Sequence, residues 1–119
     1  MKHKPLPKSL REEVYKKYDG HCAYCGKELE YKDMQVDHVK SVYLNEGVQD
    51  DSIDNLMPSC RMCNYYKDIL DIDNFRRKIR EELSHTCQSS FQTRLAMKYG
   101  MITYTDWDGK FYFEKEKGD

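Results

Sequence analysis

Cys22-Ala23-Tyr24-Cys25-Gly26 and, further along, Cys60-Arg61-Met62-Cys63-Asn64 decide how this chain folds. Each contains a Cys-x-x-Cys pair, and two matched pairs supply the four thiolates that close a tetrahedral zinc site. Gly26 suits a tight knuckle after the second ligand, because glycine takes positive φ without a Cβ clash. Cys22, Cys25, Cys60 and Cys63 are therefore expected to hold a structural zinc. The rival, a thiol oxidoreductase, needs only one pair at the end of a strand, would oxidise Cys22 and Cys25 reversibly and would bind no zinc. Cys87 stands outside both pairs and reads as an ordinary free thiol.

Between the knuckles, residues 26–59 are too many for a compact zinc ribbon, so something is built there. Leu29 to Tyr31 and Met34 to Val39 are candidate strands joined by Lys32-Asp33, followed by a loop over 40–52. Ser52 to Leu56 suits a short helical turn ahead of Pro58. Upstream, Ser9-Leu10-Arg11-Glu12 fits a capping box with Ser9 as N-cap. Leu10, Val14 and Tyr18 continue at helical spacing until Asp19-Gly20. Downstream, a helix should begin at Asn64. A clearer one has Ile72, Phe75, Ile79 and Leu83 on one face, and a further one has Phe91, Leu95 and Tyr99, ended by Gly100. Met101 to Thr105 and Lys110 to Glu114 are expected to pair as a C-terminal β-hairpin about Asp106-Trp107-Asp108-Gly109. These elements predict a small α+β fold in a single domain over 1–119.

At 119 residues, one domain is the natural expectation. Hydrophobic residues are 39% and charged residues 34%, a lean core that a metal staple would help. Twenty Lys and Arg against 21 Asp and Glu leave a net charge of −1, which excludes a globally basic nucleic-acid coat but not a local basic patch. No apolar run reaches membrane-spanning length, and Met1-Lys2-His3-Lys4-Pro5 leads into no signal-peptide core. An intracellular, cytoplasmic location is the expectation.

Asp37-His38 falls at the end of a predicted strand, Asn55 lies ahead of Leu56, and Asn64 directly follows Cys63. Singly, each has an ordinary structural reading. Interleaved in this order with the two cysteine pairs, they resemble the HNH endonuclease family, in the subgroup whose ββα-metal core is clamped by a four-cysteine zinc. Residues 9–67 carry the resemblance, and 68–119 form a helical and hairpin extension. The resemblance implies His38 as the general base and Asn55 as the residue that holds it. It also implies Asp37 and Asn64 as ligands of a catalytic divalent metal. Asparagine at 64, where the family often has histidine, makes this an HNN variant, and its hard oxygen favours Mg²⁺ or Mn²⁺.

The chemistry is coherent in its own right. A neutral histidine can take a proton from water near neutral pH, and a metal can offset charge building on phosphate oxygens. One geometric condition applies: neighbours on a regular strand face opposite sides, so β-structure must bulge or end at Asp37-His38. Lys40, Arg61, Lys67, Arg76 and Arg77 are the main candidates for contacting DNA phosphates, alongside Lys16, Lys17, Lys78 and Arg80. The aromatic residues after 98 are expected to pack a core. A zinc-stabilised nucleic-acid- or protein-binding module without activity is the alternative function. Whether a protein partner or a homodimer is needed is open, and a bacterial or phage setting follows from the family alone.

Overall fold

A computed structural model describes residues 5–116. The N-terminal stretch Met1 to Lys4, part of the leader reading, lies outside the described residues. The chain is small and α+β, and it divides into two compact units, one formed by residues up to Asp71 together with those from Phe111, the other spanning Ile72–Lys110. Among the described residues, no helix is long and apolar enough to cross a membrane.

The first unit opens with α1, Lys8–Lys16. Ser9 is not its N-cap. Pro7 occupies that position, its carbonyl accepting from the Arg11 amide at 3.1 Å, so Ser9 lies inside the first turn. Proline's fixed φ and missing N–H cost nothing where helix donors are unpaired anyway. Asp19 and Gly20 end the segment with φ of 52° and 77°, and the Gly20 amide returns to Tyr15 O at 3.1 Å.

The sheet has two antiparallel strands, β1 (Gln35–His38) and β2 (Leu56–Ser59), with Asp37 opposite Met57 and His38 opposite Leu56. The expected strand over 29–31 does not form. Leu29 instead closes the first knuckle through its amide to Gly20 O at 2.7 Å, and Tyr31–Asp33 turns as a 3-10 helix. The partner of β1 is a segment containing Pro58, which a sheet with only edge strands tolerates. Pro58 O accepts from the Ala23 amide at 2.8 Å, tying β2 to the knuckle. The expected turn ahead of it is present as a 3-10 helix, Ile53–Asn55.

From β2 the chain enters Cys60 and then α2, Arg61–Lys67. Val14, Cys22, Ala23, Leu56 and Phe111 are almost wholly buried and form the centre of this unit. At the other end of the chain the predicted hairpin is absent. Gly109 takes positive φ, as the turn reading required, but residues 101–111 hold no strand. The amides of Tyr112 and Phe113 donate to Tyr24 O and Ala23 O, and Glu114 Oε1 accepts from the Phe111 amide at 2.8 Å. With those donors taken, and the start capped by Glu114, Tyr112–Glu116 is a helix.

The second unit is helical. Ile72–Lys78 forms α3 and continues through a π-helical turn, Ile79–Leu83, into α4, Ser84–Ser89. The helix α5, Phe91–Lys98, is capped by Ser90, whose hydroxyl accepts from the Thr93 amide at 3.4 Å. Phe111 of the first unit is buried, as the packing expectation for the late aromatics requires, whereas Tyr99 is 74% exposed.

Candidate active site and metal centre

Both knuckles bring their cysteines to one point. The four Sγ atoms lie within 4.8 Å of one another, and Cys25 and Cys60 are 3.9 Å apart. Zinc–sulfur bonds of about 2.3 Å in a tetrahedron require sulfur–sulfur edges of about 3.8 Å, so the cluster fits a zinc ion with little adjustment. Cys22 and Cys60 are buried, Cys63 is half-buried and Cys25 is exposed. Hydrogen bonds from Cys25 and Cys63 hold the Cys22 thiol far below its ordinary range, while Cys25 is pushed up to about 11, first by its bond to Cys22. The Cys22 thiolate thus forms easily while Cys25 and Cys63 resist, which is the situation a bound cation resolves. Cys60 also caps α2, its sulfur accepting from the Cys63 amide at 3.4 Å. Cys87 is exposed and is not one of the four.

The same knuckles set β1 against α2. A cavity of about 480 Å³ opens there, and Asp37, His38 and Asn64 are among the residues lining it. The strand condition is met by termination, since β1 pairs regularly as far as His38 and ends there. Asn64 and Lys67 sit one helical turn apart on α2, so both can meet this strand.

Asp37 is 6% exposed and its carboxylate is heavily engaged. Tyr24 donates its hydroxyl to Oδ2 at 2.5 Å, and Lys67 Nζ lies 3.0 Å from Oδ2 and 3.4 Å from Oδ1. Burial pushes the Asp37 carboxyl up, against the pull of Lys67 and of the Tyr24 hydrogen bond. A carboxylate offers about four lone-pair sites, so Oδ1 with its single long contact keeps capacity for a further cation.

His38 is 8% exposed, and its Nε2 lies 2.8 Å from Asp51 Oδ1. Asn55 is buried behind the strand end and does not line the cavity. Its Oδ1 accepts from the Lys40 amide at 2.8 Å, and its Nδ2 donates to Asp50 O at 2.9 Å and Lys40 O at 3.3 Å. Its main-chain oxygen accepts from Val39 at 2.9 Å. The residue therefore acts on the main chain flanking His38, not on the imidazole.

The phosphate candidates divide. Lys67 is fully buried in its ion pair, so it cannot serve as a surface phosphate contact. Lys17 is likewise committed, donating to Ile53 O at 2.7 Å and Leu56 O at 2.8 Å. Lys40 and Arg61 are exposed in the first unit. In the second unit Arg77 is exposed, while half-buried Arg76 donates to Gly109 O. Three participants were not singled out from sequence: Tyr24, Asp51 and the inward-facing role of Lys67. Tyr24 was readable only as the residue between two ligands, and Asp51 only as one acid in a polar loop.

Against known families, residues 22–68 match the model for HNH endonuclease. That segment contains both cysteine pairs, Asp37, His38, Asn55 and Asn64, and bears out the resemblance read from them. No curated protein and no solved structure matches the chain.

Proposed function

We propose that this chain is a metal-dependent endonuclease that hydrolyses DNA phosphodiester bonds, with His38 as general base. The observation that carries the reading is that Asp37, His38 and Asn64 border one cavity within a segment matching a nuclease family. Asp37 Oδ1 and the Asn64 amide oxygen would hold the divalent ion, Mg²⁺ or Mn²⁺ by the hardness of these donors. When bound, that ion supplies charge stabilisation at the scissile phosphate. His38 takes a proton from water as the water oxygen attacks phosphorus, while the scissile phosphorus–oxygen bond breaks and the departing oxygen takes a proton from a solvent water. Asn55 fixes the main chain on either side of His38, and Lys67 with Tyr24 holds Asp37 in place. A zinc on the four cysteines would staple the first knuckle to the start of α2, which matters because a displacement of about 1 Å between reacting groups can cost on the order of a hundredfold.

Exposed Lys40, Arg61 and Arg77 are the proposed phosphate contacts. With net charge near zero, nonspecific affinity should be modest and salt-sensitive. Action inside a bacterial or phage-infected cell, with or without a protein partner or a second copy, extends the same reading by family analogy.

A second reading, a zinc-stabilised binding module, is favoured by one feature: an Asp37 neutralised by Lys67 is also what a purely structural ion pair would look like. Cleavage of supercoiled plasmid with EDTA, Mg²⁺, Mn²⁺ or Zn²⁺, run beside His38→Ala, separates the two. The nuclease reading expects metal-dependent cleavage that falls by about 10²–10⁴-fold in the variant, with zinc and fold retained. A folded, zinc-loaded protein that cuts in no metal supports the binding module.

A further inference from the structure

His38 is held by a carboxylate that lies outside the Asp37, His38, Asn55 and Asn64 set. Asp51 Oδ1 is 2.8 Å from its Nε2. The carboxylate is itself fixed, because Gln49 Nε2 donates to Oδ1 at 3.0 Å and to Oδ2 at 3.1 Å. The preceding main chain is fixed as well: Asn55 Nδ2 donates to Asp50 O at 2.9 Å, and the Ser52 amide donates to Asp50 Oδ1 at 3.0 Å. Asn55 thus anchors the segment that carries Asp51, and through Asp51 it reaches the imidazole.

We propose that Asp51 is a positioning residue for His38, taking the Nε2–H and so fixing both the plane of the ring and its tautomer. An ionised carboxylate only accepts, so the 2.8 Å contact makes Nε2 the donor nitrogen and leaves the basic lone pair on Nδ1. In the reaction, an O–H bond of water breaks and an N–H bond forms at Nδ1. The water oxygen bonds to phosphorus as one phosphorus–oxygen ester bond breaks, and the departing oxygen leaves with that electron pair and takes a proton from a solvent water. Asp51 stabilises the resulting imidazolium without accepting its proton. This inference rests on His38 being the general base.

The test uses the full-length, zinc-loaded protein labelled with ¹⁵N-histidine. His38 signals are identified by their absence from His38→Ala. Long-range ¹H–¹⁵N correlations should show the Nε2–H tautomer for His38, giving way to a tautomer mixture in Asp51→Ala. The same variant should lose roughly 10- to 100-fold in kcat for plasmid cleavage, with KM little changed, and Asp51→Glu should recover part of it. An Nδ1–H tautomer in the parent protein overturns the proposal, as does an Asp51→Ala protein that keeps both the signature and kcat. If His38→Ala still cleaves, the nuclease reading itself fails. If His38→Ala is inactive while Asp51→Ala is fully active, only the role of Asp51 falls.

Discussion

Replacing Lys67 with methionine removes an ammonium from the interior while nearly conserving the volume of its stem. Lys67 is 0% and Asp37 6% exposed, so neither charge has water to fall back on. Nζ lies 3.0 Å from Asp37 Oδ2 and also donates to His38 O at 3.4 Å. Without it, Asp37 keeps the Tyr24 hydroxyl but faces a burial penalty that the cation had opposed. Breaking a buried ion pair by removing one partner costs about 3–5 kcal/mol. Against a total stability of about 5–15 kcal/mol, Lys67→Met should be severely weakened. Urea unfolding of the zinc-saturated protein measures the loss, read from the midpoint at unchanged m. The companion variant, Asp37→Asn with Lys67→Met, removes both charges and keeps an amide oxygen for Tyr24. It should be more stable than Lys67→Met, with a coupling energy of at least about 2 kcal/mol. A Lys67→Met protein within about 0.5 kcal/mol of the parent would refute the reasoning, since that is the range of an uninvolved surface site. So would a double variant no more stable than the single one.

Cys60→Ser removes a zinc ligand and weakens the cap of α2, so zinc measured by elemental analysis should fall well below one per chain. Far-UV circular dichroism should show the helical signal lost at lower temperature, as expected where metal binding and folding are coupled. Asn55→Ala deletes three side-chain hydrogen bonds, to Lys40 N, Lys40 O and Asp50 O. At about 0.5–1.5 kcal/mol each, the loss is roughly 2–4 kcal/mol by chemical denaturation, and plasmid cleavage should fall with it. Gly26 has φ of +81°, and a Cβ there would sit 2.7 Å from Tyr112 Cδ1. Gly26→Ala should therefore lower thermal stability by about 1–3 kcal/mol, checked by scanning calorimetry.

The two cysteine pairs, the helices over 8–16, 72–78 and 91–98, and the Asp37, His38, Asn55 and Asn64 set were legible in the chain. By contrast, α2 starts at Arg61 where Asn64 was expected, and the helices Ser84–Ser89 and Tyr112–Glu116 were not foreseen. Ligand spacing is a local property, and helical periodicity repeats every few residues, so both survive without knowledge of what packs against them. The strand Leu56–Ser59 was not legible, because Pro58 argues against a strand until one sees that each strand of this sheet is an edge. The C-terminal hairpin carried a sound turn signal at Gly109, yet the amides of Tyr112 and Phe113 went to the first knuckle. Ser9 offered a good cap, and Pro7 took the place two residues earlier.

The sequence by itself determined where a metal can be held, which of the longer segments are helical, and which residue types meet near the second cysteine pair. Only the tertiary structure decided that Lys67 points inward to Asp37, that Lys17 reaches from the end of α1 to β2, and that Asp51 meets His38. A lysine or aspartate in a polar stretch carries no local signal of its partner. Burial and charge are settled by what lies across space, and the partner here comes from 13 positions away for Asp51 and 30 for Lys67.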